Sequence, residues 1–584
     1  MSYRRSTLAW YLLAAMLISS SGAWGQSQFP ARSGARLAYQ RGQQALQKGD
    51  LASARADFEE AVRRSPANAE AQAALGWVLA QQGELDAAAS HLKTAIRLRT
   101  DFADARLDLA SILLQQGHSE EAEREARIAV RENPANVDAH RTLGRILSQR
   151  NSQAEAGTEL QRAVDLAPQR ADLRDDLGSV FAKKGQLAQA EAAFTEAVRL
   201  QPGLASAHFH LGALRLQQRQ LQDAAIELRK ATELSPSDAS PHYYLAQVLA
   251  DQSKNAEALR ELRTTARLKP DWFEAQIALG IACQRAGEAE CAENAFQEAV
   301  KLRPSDPEAV NDLGLALIQK GDAEGAVAKF RTAVQLRPND GDFRGNLGIA
   351  FLQRTDFDAA ITELSAAIRL APADASLHYN LGLAYKLKDQ LDKAVAELQN
   401  AISLQPELAD AHYTLGVLFW QRGEFEKAIE QLHLAIQSQP NYAEAHYTLG
   451  TVLKQQGKLP EAAASLREAI RLQPDFAGAH TTLAAVLRQL GDSAGAAEEA
   501  RAASQITAAS NNLQAATFAT NSGKRLLNAG DVAGAIAQFR AAIKMADQYA
   551  PAHYQLAQAL RQQGNTQDAA RELDRANELG SHPR

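Results

Sequence analysis

A chain of 584 residues is longer than a single globular core organises, and its 63 basic and 69 acidic residues leave a formal net charge of −6. A balance this close to neutral lacks the basic stripe needed to neutralise phosphates, which excludes nucleic acid as an expected partner. Alanine, leucine, glutamine, glutamate and arginine dominate, all good helix formers, so the chain is expected to be all-α.

In chain order, Arg4 and Arg5 precede the apolar run from Leu8 to Ile18, and a small-residue tail ends in Ala23-Trp24-Gly25. This is the pattern of a cleavable signal peptide over residues 1–25, processed before Gln26. The run is shorter than the roughly 20 apolar residues of a membrane anchor, and no cysteine near the cleavage region offers a lipid attachment point. The mature chain is therefore expected to be exported, periplasmic or secreted, with an uncleaved N-terminal anchor as the lesser alternative. Residues 26–34 read as a linker.

From Ala35 the chain repeats itself every 34 residues. Fourteen contiguous repeats fill residues 35–510, the break 511–515 interrupts the register, and two further repeats occupy 516–583. Position 20 is alanine in every repeat, from Ala54 through Ala428 to Ala569, and position 27 is alanine in all but the seventh, which has Thr265. Position 8 is glycine in twelve repeats, including Gly416, and alanine in four. Such positions leave little room for a side chain, as where two helices approach closely.

Within a repeat, apolar residues fall twice at helical spacing. In the twelfth repeat Leu415, Leu418 and Phe419 form one stripe, and Ala428, Ile429, Leu432, Ala435 and Ile436 a second. Gly423 is placed as a helix-ending glycine between them, and Pro440 stops the second helix. The fourteenth repeat has Ala508 where proline is usual and Ala500 at position 24, so a lengthened helix or a kink is expected around 511–515. Both cysteines lie in the eighth repeat; their spacing permits a disulfide, but position 11 is an apolar core site in most repeats, which favours Cys283 as a small buried hydrophobe.

These residues resemble the tetratricopeptide repeat (TPR), in which two antiparallel helices fill 34 residues, small side chains stand at 8, 20 and 27, and proline at 32. The resemblance implies a right-handed α-solenoid superhelix of about sixteen helix-turn-helix repeats. It is similar to long bacterial arrays and to the repeat superhelix of O-linked GlcNAc transferase, without that enzyme's catalytic domain. One departure is position 4, usually a large aromatic in the family, which here is most often histidine, as in His140, His208, His378, His412, His480 and His553. One imidazole per repeat cannot readily assemble a metal site, because packed helices sit roughly 8–10 Å apart; these histidines are expected to be structural.

The resemblance also implies that first helices line a concave face through positions 2, 5, 9, 12 and 13. That places Tyr243, Tyr379, Tyr413 and Tyr447 at position 5, Lys386, Trp420 and Lys454 at position 12, and Gln421 and Gln455 at position 13. Tyrosines and amides repeated along a groove suit the backbone of an extended peptide. Arg141 and Arg145, one helical turn apart in the fourth repeat, suit a carboxylate. No Gly-rich phosphate loop, paired-cysteine metal spacing or nucleophile elbow is present, and the intervals leave no stretch for a catalytic fold, so neither a cofactor nor enzymatic activity is expected. The expected function is a scaffold or adaptor that binds protein or peptide partners. The alternatives are an envelope-assembly or export-machinery component acting as spacer or tether, and a regulatory subunit of a separate enzyme.

Overall fold

The computed structural model describes residues 34–580; the expected signal peptide and most of the linker lie outside them. Among the described residues there are helices and turns and no strand. They form two compact bodies, one ending at Ala286 and one beginning at Gly287. The first body runs from the helix Gly34–Gln47 to Phe273–Arg285, and the second from Ala289–Leu302 to Thr566–Glu578. Among the described residues no helix is long and apolar enough to cross a membrane.

Each body is built from the same pair of helices. Position 20 alanines and position 27 alanines are buried throughout, and Thr265 is accepted at position 27 because its hydroxyl donates to the Glu261 carbonyl, 2.9 Å away on its own helix. The position 8 glycines face the bulky residue at position 24. A Cβ built on Gly416 would lie 2.9 Å from Leu432 Cγ, and one on Gly314 would lie 2.5 Å from Phe330 Cε1. Helix pairs close because these positions carry nothing.

The turn between the two helices needs a left-handed residue at position 15. Gly423 supplies it at φ 75°, whereas Asn151, Arg219, Ser253, Thr355 and Asp389 adopt φ between 58° and 64° at the same position despite their side chains. Helix starts follow position 34. Where that residue is Asn or Asp, as at Asn68, Asp306 and Asp340, its side chain accepts a backbone N–H from the first turn at 2.6–3.1 Å.

Within each body, consecutive helices pack in chain order, and the first helices of successive repeats also touch one another while their second helices make no comparable contact. First helices therefore occupy the inner side of the local curve, as in other stacked-repeat proteins.

In the second body one helix of 36 residues, Ser493–Asn528, replaces both the second helix of repeat 14 and the first helix of repeat 15. No proline interrupts it at Ala508, and its ends pack on Ala477–Gln489 and Val532–Met545. Its middle is exposed, with Leu513 46% and Phe518 72% accessible. The cysteine expectation is corrected in part: Cys283 is fully buried, but neither Cys283 nor Cys291 is a free thiol.

Candidate functional site

Three consecutive first helices, Ala375–Leu387, Ala409–Gln421 and Ala443–Gln455, carry Tyr379, Tyr413 and Tyr447 at equivalent places on the inner side of the second body. All three rings are half-buried. The Tyr413 ring lies 5.0 Å from Tyr442, tilted by 40°, and the Tyr447 ring 4.7 Å from Phe476, tilted by 46°. The result is a strip of aromatic surface in which Tyr413 and Tyr447 each lean on a second ring at position 34 of their own repeat.

Tyr442 is further held by its hydroxyl, which donates to Asp410 Oδ1 at 3.0 Å. Burial, the bond to Asp410 and that residue's charge push the Tyr442 hydroxyl well above the usual tyrosine range. Burial also raises Tyr379, against a hydrogen bond with Thr414. These phenols therefore stay neutral at physiological pH, and offer hydroxyl groups rather than charge.

Trp420 is half-buried, and its indole N–H donates to Gln455 Oε1 at 2.7 Å, linking repeats 12 and 13. Gln421 is exposed beside it. On either side, at the same position of repeats 11 and 13, stand Lys386 and Lys454, both half-buried and, among the described residues, neither in an ion pair. Burial lowers the Lys386 amine below its ordinary range. The arrangement presents ring faces, phenolic hydroxyls, an amide and two ammonium groups along one side of three stacked helices.

Tyr243 belongs to the first body. Its ring lies 4.5 Å from Trp272 and 5.7 Å from Tyr244, and Tyr244 meets Phe209 edge-on at 5.4 Å. Burial raises its hydroxyl as well. Arg141 is a correction. Its guanidinium is occupied inside the chain, by Asp172 Oδ2 at 2.5 Å and Asp176 Oδ2 at 2.6 Å, so it is not available to receive a partner's carboxylate with Arg145. Arg145 is exposed.

Two features escaped the sequence reading, and both have a signal. The second rings stand at position 34, always 29 residues after the position 5 tyrosine: Tyr243 and Trp272, Tyr413 and Tyr442, Tyr447 and Phe476. Side chains also bond across successive first helices at a separation of 35, as in Arg141 to Asp176, His210 to Asp175, Asn346 to Asn311 and Trp420 to Gln455. One repeat plus one residue is the offset at which stacked first helices face each other.

The aromatic strip replaces something. At Asp306, Asp340 and Asp374 position 34 caps the next helix, whereas Leu408, Tyr442 and Phe476 make no side-chain cap. A lost cap costs about 1 kcal/mol. Three consecutive repeats therefore give up caps where the rings gather.

Family models described as tetratricopeptide repeat match residues 39–101, 107–171, 176–239, 278–341 and 520–581, with a second model of that description at 79–128. A model described as TPR repeat matches 350–389, 385–423, 418–457 and 450–491. No curated protein matches the chain. Among solved structures, the APC/C hetero-tetramer Cut9-Hcn1 is similar at 15% identity and a TM-score of 0.36, covering 82% of this chain and 99% of that one. MamA from Desulfovibrio magneticus RS-1 is 29% identical with a TM-score of 0.28, covering 29% of this chain and 96% of its own. YrrB, described as a TPR protein with an unusual peptide-binding site, is 24% identical with a TM-score of 0.29, covering 32% and 96%.

Proposed function

Since the chain belongs to the tetratricopeptide-repeat family, whose arrays are generally non-catalytic interaction scaffolds, we propose that it is an adaptor that holds protein or peptide partners along the inner face of repeats 11 to 13. The observation that carries this reading is the strip of Tyr379, Tyr413 and Tyr447 with Trp420, built where three consecutive helices lack their caps and flanked by Lys386 and Lys454. Packing alone does not call for such a strip, because repeats 9 and 10 stack without tyrosine at position 5 and with capped helices on either side. Half-exposed contiguous aromatics are what a contact surface uses. Lysine heads beside them suit carboxylate groups on the partner.

We also propose that the chain is exported and works beyond the cytoplasmic membrane, a reading supported by Arg4, Arg5 and the run Leu8 to Ile18 ahead of Gln26. Sequencing the N-terminus of the protein recovered from its own cells tests this, with Gln26 as the expected first residue.

The test of binding is affinity capture of residues 26–584 from the cell envelope beside the variant Tyr379→Ala, Tyr413→Ala, Tyr447→Ala. The expected result is loss of specific partners from a variant whose far-ultraviolet dichroism remains helical. Identical capture by both proteins overturns the groove reading. Sensitivity instead to deletion of whole repeats supports a spacer or tether in envelope assembly.

A further inference from the structure

Position 4 of the repeat carries a device that the aromatic of the family pattern cannot provide. In the first body His140 and His208, and in the second His378, His480 and His553, are all buried. Each Nδ1 lies 2.6 Å from a carboxylate oxygen at position 23 of its own second helix, on Glu159, Glu227, Glu397, Glu499 and Glu572 respectively. Each Nε2 lies 3.0–3.3 Å from a backbone carbonyl at position 32 of the preceding repeat, on Pro134, Pro202, Pro372, Pro474 and Asp547. A single ring thus ties its own two helices to the loop that arrives from the repeat before.

Both neighbours are acceptors. A carboxylate and a carbonyl have no hydrogen to give, and a neutral imidazole has one N–H, so it completes only one of the two bonds; the imidazolium completes both. We propose that these five histidines are protonated links that fasten each repeat to its predecessor, so that mild acid tightens the joints and loss of the proton releases one bond at each.

Other repeats solve the same problem with residues that do not switch. Arg344 donates to Glu363 at 2.7 Å and to the Pro338 carbonyl at 3.0 Å, and Arg106 to Glu125 at 2.7 Å and to the Thr100 carbonyl at 2.8 Å, as permanent cations. Gln72 reaches the Pro66 carbonyl at 2.9 Å and faces His91 at 2.7 Å, with no charge of its own. His412 meets the Pro406 carbonyl and Gln431, whose amide can turn its NH2 toward a bare nitrogen, so its two bonds survive deprotonation. Position 4 often supplies a donor to the loop; in seven repeats that donor is a histidine, and in five of these the other ring nitrogen faces a carboxylate.

The charged groups facing these rings are few. Beyond the five glutamates, Arg215 pairs with Glu227 at 2.9 Å beside His208, and the neutral amide of Asn400 approaches Glu397 at 3.5 Å beside His378. No further ion pair or hydrogen bond reaches the five imidazoles among the described residues. When the proton leaves, Glu227 retains a cationic partner, while the other four carboxylates lose theirs. The His208 joint is therefore the mildest of the five.

The experiment uses the full chain and two fivefold variants. In one, His140, His208, His378, His480 and His553 are replaced by arginine, as the chain itself does at Arg344; in the other by glutamine, as at Gln72. Thermal unfolding is followed from pH 5.5 to 8.5, a range spanning ordinary imidazole titration. Amide hydrogen exchange reads the same joints. The wild-type midpoint falls as pH rises and exchange at the joints accelerates, by about tenfold for the loss of one hydrogen bond; the arginine variant loses most of that slope, and so does the glutamine variant. Nitrogen-15 spectra of labelled histidine provide a reading independent of stability, with five rings protonated at both nitrogens at pH 6. A slope unchanged in both variants, or rings protonated at one nitrogen at pH 6, overturns the proposal.

Discussion

Gly178 stands at position 8 of repeat 5, where a Cβ would lie 2.6 Å from Phe194 Cε1 and 2.7 Å from Cδ1. Ordinary contact begins at 3.4 Å, so the ring would have to retreat by 3.4 minus 2.6, or 0.8 Å. Phe194 is only 2% exposed and has nowhere to go. Gly157, in the interior of Gln153–Leu166, is the control, because its nearest atom is Val180 Cγ1 at 3.7 Å. Alanine at either site gains about 1 kcal/mol of helix propensity. Gly157→Ala therefore stabilises by about that amount, whereas at Gly178 overpacking of about 1–3 kcal/mol acts against it. The difference between the two variants is the overpacking alone. Stacked repeats need not unfold in one step, so the quantity to measure is amide hydrogen exchange in each repeat's second helix, Leu187–Leu200 for Gly178→Ala and Gln153–Leu166 for Gly157→Ala. Protection should fall in the first and rise in the second. Equal gains in both would show that the small side chain at position 8 is not required by close approach, and the packing argument would fail.

Thr355 is a β-branched residue held at φ 60°, a conformation costing roughly 1–2 kcal/mol outside glycine. Thr355→Gly should raise the stability of repeat 10, the relief being offset only partly by about 0.5–1 kcal/mol of added chain entropy; a lower denaturation midpoint contradicts this. Burial and the nearby Asp104 push the Asp108 carboxyl from 3.8 up to about 7. Its folded form favours the proton, so stability is full below 3.8 and is lost as pH rises through about 7. Asp108→Asn should accordingly leave the urea midpoint unchanged at pH 3.5 and raise it increasingly up to pH 7.5, and a pH-independent effect refutes the assignment. Arg141→Met leaves Asp172 and Asp176 without their shared cation, although Asp172 keeps Arg170 at 2.7 Å; the expected cost of about 1–3 kcal/mol should appear as faster exchange in repeats 4 and 5.

The period, the helix pairs and the long helix were legible because they rest on what a position excludes. Ala428 and Gly416 mark places without room, and the missing proline at Ala508 removes a stop. The contents of the inner face were legible only in part. Tyr379, Tyr413, Tyr447 and Trp420 do share one side of three stacked helices, since position 5 or 12 of a first helix is fixed by its own 3.6-residue period. What Arg141 and Trp420 touch is set instead by the stagger between repeats, which no single repeat encodes. That stagger gave Arg141 to Asp176 and Trp420 to Gln455. The position 4 histidines were legible as structural but not as three-way links, because the loop carbonyl belongs to the preceding repeat.

The central claim is that partners lie on the inner face of repeats 11 to 13. Its most direct test is a photo-crosslinking residue placed in turn at Gln421, exposed beside Trp420, and at Glu430, exposed on the second helix of the same repeat. Irradiation of each protein in its own cells should yield a discrete adduct from position 421 that disappears when Tyr379, Tyr413 and Tyr447 are alanine, and none from position 430. Adducts from 430 alone, or adducts from 421 that persist in the three-tyrosine variant, would contradict the account.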